Sequence, residues 1–472
     1  MANRFRLWMA APMIAALGGC AAVGPNYVPP PLAAPAAFPS AAAPSPGSAT
    51  DPGRWWRGLG DPDLTAAVER ALAANPALDV AAARVAQARA DLAGAAALQA
   101  PIGEVGGLAG RGGDSRRSPE GRLLTAFGAP IEDNLYAGLA SVGWETDLFG
   151  AVRRGKEARA AGVALQADEL AATRVVVAAE TARAYASLRG LQIRRAILDQ
   201  RLACAQRRLD LARRRTAEGA ASAVEVRQRE ADLAAIQLVA PALESGLAAT
   251  LDALDTLEGQ PLGANLGLRD TPPRLPLAVA AQVLDSPAQA LARRPDLQAA
   301  ERAVAEANAG VGVAVAEYYP SVRLNALAGL SSSASQQLLQ PDAGLWAGFV
   351  GVRWRLLDWK RIDADVAAAK GRRAEALAAY RQTALAAAAE IDTAMAQLQG
   401  ASEAVRRAGE LTQAAARAEA LAQRAHAEGA APLTPVLEAD AQRLAAEDQA
   451  AVARLDAVTA SIDLYRALGG AV

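Results

Sequence analysis

Residues 141–259 occur a second time, 210 positions later and without a gap, at 351–469. Trp144 falls on Trp354, Glu180 on Glu390, Leu188 on Leu398, Glu218-Gly219 on Glu428-Gly429 and Gly259 on Gly469. An earlier block, 70–101, recurs at 289–320 with an offset of 219, so that Asn75-Pro76-Ala77-Leu78 meets Arg294-Pro295-Asp296-Leu297 and Pro101 meets Pro320. The offsets differ by nine, which confines the length change to the connection between the blocks. Any fold for the chain must therefore be one that a single unit can adopt twice.

Within each copy two kinds of pattern alternate. After Pro320 the even positions Val322, Leu324, Ala326, Ala328 and Leu330 are apolar, and the odd ones include Ser321, Arg323 and Asn325. In 345–357 the even positions hold Trp346, Val350, Val352, Trp354 and Leu356, with Arg353 and Arg355 between them. This period of two predicts strands with one apolar face. The first copy alternates more weakly (Tyr136, Val142, Trp144, Leu148), and its Gly-rich partner at 101–111 barely does so. After each strand pair comes a long run without Pro, from Ala151 to about Ala217 in the first copy. At 1.5 Å per residue that is roughly 100 Å of helix. It turns at Glu218-Gly219 and returns from Ser222 to Glu258; the second copy turns at Glu428-Gly429 and restarts near Pro432. Aromatics make up only 4 % of the chain while Ala dominates, the usage of long, closely packed helices rather than of a thick globular interior.

Arg4 and Arg6, the apolar run Leu7 to Leu17, and Leu17-Gly18-Gly19-Cys20 have the form of a bacterial lipoprotein signal, with Cys20 as the acylated first residue after cleavage. Pro-, Ala- and Ser-rich sequence follows to residue 50 and reads as an extended tether. Trp55-Trp56 opens the folded part, and Asp61 before Pro62 caps a helix. Cys204, in a helical run, is expected as a small core residue. The single His, His426, excludes most His-based metal sites and a His-based triad, and there is no phosphate-loop or CxxC pattern. A net charge of −1 offers no electrostatic footprint for nucleic acid. No cofactor, metal or catalytic set is expected.

No stretch after the signal offers about 18 consecutive apolar residues, so no helix is expected to cross a membrane. Membrane passage then falls to strands, and these require a closed barrel. Four strands per chain cannot close, since about eight is the smallest outer-membrane barrel. Strands from several chains must join, with the long helices continuing beneath them.

Further residues carry a family resemblance: Gly24-Pro25-Asn26-Tyr27, Trp55-Trp56, Trp144-Glu145-Thr146-Asp147-Leu148-Phe149-Gly150, Arg293-Arg294-Pro295-Asp296-Leu297 and Leu464-Tyr465-Arg466-Ala467-Leu468-Gly469-Gly470. In this order the chain resembles the TolC-like outer-membrane factors, in their lipoprotein (NodT) branch serving resistance-nodulation-division efflux pumps. The resemblance implies an α+β membrane protein whose four strands join a trimeric twelve-stranded barrel continued by a long periplasmic helical barrel closed at its tip. It implies a homotrimer in outer-membrane lipid, with a periplasmic adaptor and an inner-membrane pump as partners. The expected divisions are a signal peptide (1–19), a lipidated tether (20–60), a first repeat (61–259), a linker (260–288) and a second repeat (289–472).

The resemblance assigns Glu225, His426 and Glu438 to the periplasmic aperture, although Pro435 stands where the family often has an acid. His426 reads either as an exposed surface residue or, where the tips crowd together at rest, as a donor to a carboxylate or carbonyl of the next chain. The turns at Gly219-Ala220 and Gly429-Ala430 are expected to receive the adaptor. Arg323, Arg353 and Arg355 are expected in the barrel lumen, because a charge facing lipid is costly, and Trp144, Trp346 and Trp354 at the membrane interface. Two other readings use the same elements. A protein-secretion channel shares the architecture, and a lipid-anchored coiled-coil scaffold explains the helices but leaves the strands without a purpose.

Overall fold

The computed structural model describes residues 22–32, 34–40, 52–278 and 286–470. The expected signal peptide and Cys20 lie outside the described residues. The first repeat contains α1 (Pro62–Ala74), α2 (Pro76–Ala97), β1 (Ile102–Gly113), α3 (Pro119–Ala126), β2 (Glu132–Glu145), α4 (Ala151–Ala217), α5 (Ala223–Gln237) and α6 (Ala240–Leu257). The second contains α7 (Pro287–Ala292), α8 (Pro295–Ala316), β3 (Ser321–Ser332), β4 (Gly344–Arg353), α9 (Trp359–Ala427) and α10 (Leu433–Ala467). Adding 219 to the bounds of α2 and β1 gives those of α8 and β3, so the offset runs beyond Pro101 through a whole strand.

The chain forms two compact units. One takes its described residues from Met1–Pro30, Ala86–Leu165 and Glu301–Ala378 and holds all four strands, in the antiparallel order β1-β2-β3-β4. The other comprises the described residues of Pro31–Val85, Gln166–Ala300 and Ala379–Val472. Its core gathers Trp55, Leu59, Leu64, Leu188, Leu254 and Ile462, and Trp55 stacks on Tyr465 at 5.1 Å. The boundary expected at residue 60 is thereby corrected. Residues 52–59 form a 3-10 segment kinked at Arg54, whose Trp55 and Leu59 are buried, because two adjacent tryptophans carry too much apolar area to leave in water. Part of the Pro-rich stretch also packs: Phe38 is buried, and Ser40 is held through its N–H by Asp392 at 2.8 Å.

The repeated Pro motifs terminate the return helices. The residue before each Pro donates to the last turn of a return helix: Asn75 Nδ2 to the Leu257 carbonyl (2.7 Å) and Arg294 Nη1 to the Ala467 carbonyl (2.6 Å). Leu257 and Ala467 are 210 apart, so one contact is made twice with different donors. Arg294 is buried and bonds Asp296 and Glu390 as well, and these carboxylates raise its pKa despite burial, which acts against them.

The outbound helix of the first hairpin lies antiparallel along the return helix of the second. Arg183 pairs with Asp463, Arg194 and Arg201 with Asp448 (2.9 and 3.4 Å) and Arg207 with Asp440 (2.9 Å). Cys204 sits in this seam, its Sγ 3.5 Å from the Leu437 carbonyl, and burial pushes its thiol up to about 11. It stays protonated at neutral pH, in keeping with a small packing residue.

The return arm of the first repeat departs from expectation. It breaks at Leu238-Val239 into helices of 15 and 18 residues, because Pro241 supplies no N–H to the turn before it. The equivalent position in α10 is Ala451, and that helix is continuous. The expectation that no helix suits a membrane is also corrected on composition. Among the described residues, Ala223–Leu257 reaches a mean hydropathy of 1.3 over an 18-residue window that is 11 % buried. Gln237, Glu244 and Ser245 interrupt the apolar run without lowering its average enough, and the break at Leu238 divides it.

Asp61 caps α1 as expected, accepting from the N–H groups of Asp63 and Leu64 at 2.9 and 3.0 Å. The Tyr185 hydroxyl donates to the same carboxylate at 3.3 Å, and burial pushes Tyr185 up to about 12. The folded state thus holds the tyrosine proton that the unfolded chain releases near pH 10, so this stabilisation is complete below pH 10 and lost as the pH rises to about 12. Tyr185→Phe is expected to lower the melting temperature at pH 8 but to flatten its decline between about pH 10 and 12, read by circular dichroism.

Candidate functional site

Two regions carry chemistry: the sheet with its junction to the helices, and the hairpin tips. In the sheet, Leu324 lies opposite both Trp144 and Val350, Ala326 opposite Val142, Ala328 opposite Ala140 and Trp346, and Val322 opposite Val352. Cross-strand partners project to the same side, so these residues form one apolar face. The other face carries Glu104, Ser141, Glu145, Arg323, Asn325 and Arg353. There Arg323 of β3 and Glu145 of β2 pair at 3.1 Å. Arg323 and Arg353 thus share the polar face, and Trp144 and Trp346 the apolar one.

Arg355 and Trp354 do not lie on a strand, contrary to expectation. The ladder ends at Ser321–Arg353, because β3 begins only after Pro320 and nothing stands opposite the next residues of the other chain segment. Arg355 instead binds Glu317 (3.1 Å) and Asp358 (2.5 Å) at the corner leading into α9. The Trp354 indole N–H donates to the Tyr318 carbonyl at 3.0 Å, and that of Trp144 to the Gln99 carbonyl at 3.0 Å. Gln99 and Tyr318 are 219 apart, each two residues before the Pro that opens a strand. The paired tryptophans therefore clamp the two helix-to-strand corners.

At the first corner the N-terminal segment is strapped down. Val23 N–H donates to the Phe149 carbonyl at 3.0 Å, and Asn308 Nδ2 to the Pro25 carbonyl at 2.9 Å. The buried Arg154 guanidinium donates to the Val23 carbonyl (3.1 Å) and to Asn26 Oδ1 (2.8 Å). Gly24 has φ +87° and lies so close to Gly312 that a Cβ on it would stand 2.5 Å from the Gly312 Cα. This strap and its Arg154 socket were not foreseen. The Gly24-Pro25-Asn26 motif was their only trace in the sequence.

The tips are built alike. Gly219 and Gly429 both have φ +73°, and the N–H of the following Ala reaches back five residues, Ala220 to the Arg215 carbonyl (2.7 Å) and Ala430 to the Ala425 carbonyl (2.8 Å). Both are helix C-terminal stops that need a left-handed residue. A Cβ on either glycine would meet only open space. The expected aperture residues are brought to this end but not as free acids. Glu225 pairs with Arg215 at 3.1 Å, and Glu438 with Arg229 of α5 at 3.1 Å. His426 Nδ1 bonds the Ala431 carbonyl of its own chain at 2.9 Å. Arg229 was missed, although its place four residues after Glu225 marked it as a cation beside the acids.

The outer membrane efflux protein profile matches residues 67–260 and 286–470, most of both repeats. The chain belongs to this family. It is 30 % identical over 439 residues to the pyoverdine export outer membrane protein OpmQ of Pseudomonas aeruginosa, covering 89 % of this chain and 88 % of that one. Nodulation protein T of Rhizobium leguminosarum is 27 % identical over 356 residues, covering 75 % and 74 %. Among solved structures, the outer-membrane channel OprN superposes with a TM-score of 0.84 at 29 % identity, covering 95 % of this chain and 99 % of that one. The Campylobacter jejuni CmeC channel has the same fold, with a TM-score of 0.84 at 22 % identity, covering 96 % and 95 %.

This efflux protein is thus an outer-membrane channel component of a tripartite pump, extending into the periplasm. Its fold class is α+β, with four strands per chain contributing to a trimeric twelve-stranded barrel and long helices continuing from them. The family is one of channels, not of enzymes. Gly24→Ala is expected to destabilise the protein by at least about 1 kcal/mol, the order of cost of a left-handed alanine, with the Gly312 clash added. Its first residues should be cut earlier by a non-specific protease, while the strand core remains protected.

Proposed function

We propose that three chains form a passive, lipid-anchored conduit that carries small molecules outward from an inner-membrane pump joined through a periplasmic adaptor. The observation that carries this reading is the sheet: one apolar face, one charged face, and unpaired edges on β1 and β4. Such a sheet is stable in lipid only when other chains complete it. Arg323 and Arg353 then line the lumen and Trp144 and Trp346 face lipid. The export of pyoverdine by the relative OpmQ favours small-molecule cargo over protein secretion. No chemical step is required of the protein, since conduction needs only a lined path and a gate.

Acylation at Cys20 fits the strap. Ala22, two residues on, lies against Gly150 at the strand-to-helix corner, where a Cβ on Gly150 would come within 2.4 Å of it. The open space around Gly219-Ala220 and Gly429-Ala430 suits insertion of an adaptor hairpin. The gate is read from Arg229–Glu438, the ion pair linking α5 to α10 among the described residues. A partly exposed pair is worth about 0.2–1 kcal/mol, so three copies bias closure by roughly 3 kcal/mol at most, about a hundredfold.

Cross-linking in detergent should trap a trimer as the largest species; only monomers or dimers would refute the conduit. Cys20→Ser, exported by a cleavable signal, should remain in carbonate-washed membranes because the barrel holds it there. Glu438→Gln should raise single-channel conductance in planar bilayers, and the exchange Arg229→Glu with Glu438→Arg should bring it back down. Equal conductance in all three would remove this pair from the gate.

A further inference from the structure

The two strand-to-helix corners are equivalent in the duplication but opposite in chemistry. The first, Trp144–Ala151, reads WETDLFGA and carries two acids and no base. It is also covered. Asp147 caps α4 through the N–H groups of Val152 and Arg153 (2.8 and 2.9 Å), Phe149 stacks on Tyr319 at 4.7 Å, and the N-terminal strap lies on Phe149 and Gly150. The second, Trp354–Arg361, reads WRLLDWKR, with three bases against one acid. No strap reaches it among the described residues. Within the single chain, Leu357 is fully exposed (100 %), and Leu356 and Trp359 are half exposed (49 % each).

Charge at this second corner is also arranged for an outside partner. Asp358 is occupied by Arg355 (2.5 Å) and more loosely by Arg361 (3.5 Å), Asp363 by the Tyr318 hydroxyl, and Asp365 stands 3.9 Å from Arg355. Arg361 remains 82 % exposed, and Lys360 is exposed without an ion pair among the described residues. Trp359 is held 6.0 Å from the Tyr318 ring, whose backbone carbonyl takes the Trp354 indole N–H. An apolar prow on a rigid aromatic base, with the unpaired Lys360 and the loosely paired, largely exposed Arg361 one step behind it, has the form of an interfacial membrane anchor. It continues the apolar face of β4 through Val350 and Val352, the face read above as lipid-contacting.

We propose that this corner docks in the periplasmic leaflet of the outer membrane, with Leu357 and Trp359 among the upper acyl carbons and Lys360 and Arg361 on the phosphate of an anionic phospholipid. Beside the proposed acylation of Cys20, the duplication then yields a second membrane anchor, a free lipid held at the basic corner. This inference rests on the reading of the apolar sheet face as the lipid face.

The test uses the full-length trimer in bilayers containing phosphatidylcholine and phosphatidylglycerol, with acyl chains brominated near the headgroup or near the bilayer centre. Trp359→Phe is expected to lower the fraction of tryptophan fluorescence quenched by the shallow bromines, and Trp346→Phe serves as the control for the strand face. Lys360→Glu with Arg361→Glu is expected to lose about one phosphatidylglycerol per chain in native mass spectrometry, with phosphatidylcholine retention and the trimer unchanged. Unchanged shallow quenching in Trp359→Phe, or unchanged phosphatidylglycerol retention in the double variant, would overturn the anchor. A Leu357→Cys variant that cross-links to a neighbouring chain would also overturn it, by assigning the patch to the subunit interface. Quenching that is insensitive to Trp346→Phe as well would refute the underlying placement of the sheet, a result distinct from failure of the corner alone.

Discussion

The structure depends on backbone hydrogen bonds that one chain cannot make. β1 has 12 residues and β4 has 10, and each is paired on one side only. Along each open edge on the order of ten N–H and C=O groups point outward, and each costs several kcal/mol if left unpaired in hydrocarbon. The tens of kcal/mol involved exceed the net stability of an ordinary domain. Trimer closure is therefore part of the fold, and the alternation of apolar and charged faces decides which side of the closed barrel meets lipid.

The duplication has preserved interactions more faithfully than residues. A tryptophan clamps a carbonyl two residues before the strand-opening Pro in both copies, on Gln99 in one and Tyr318 in the other. Asn75 and Arg294 share neither charge nor size, yet both satisfy the last turn of a return helix. Orphan carbonyls at helix ends must be met wherever the end is buried, so the acceptor is constrained and the donor is free to drift. Regions without such an obligation have diverged: the corners have opposite charge, and Pro241 breaks one return arm where Ala451 leaves the other intact.

What was legible in the sequence followed the same division. Strands β3 and β4, the long helices, the Gly turns and the Asp61 cap are periodic or local signals, and they read correctly. The end of β4 did not, because the pattern through Trp354 and Leu356 continues past the point where Pro320 removes the partner strand. The break at Leu238 was signalled by Pro241 but masked by the helical composition on both sides. The strap and the ion pairs of Glu225 and Glu438 are long-range or side-chain-specific, and no periodicity encodes them. Family resemblance assigned the acids to the aperture, yet it gave no sign that Arg215 and Arg229 pair with them.

The placement of those cations bears on how the tip can move. Each hairpin is fixed internally, the first by Arg215–Glu225 and the second by Arg443 with Glu419 (2.6 Å) and by His426 with Ala431. Between hairpins, the ladder from Arg183–Asp463 to Arg207–Asp440 joins α4 to α10, and beyond it Arg229–Glu438 joins α5 to α10. On the proposed reading of Arg229–Glu438 as the gate, a hairpin swinging outward about the ladder breaks that pair. In that pair Glu438 is about half exposed and Arg229 largely covered, whereas in the last ladder pair it is Arg207 that is exposed and Asp440 that is covered. Because partly exposed pairs are weak in water, a docked partner supplying even a few contacts can outweigh Arg229–Glu438.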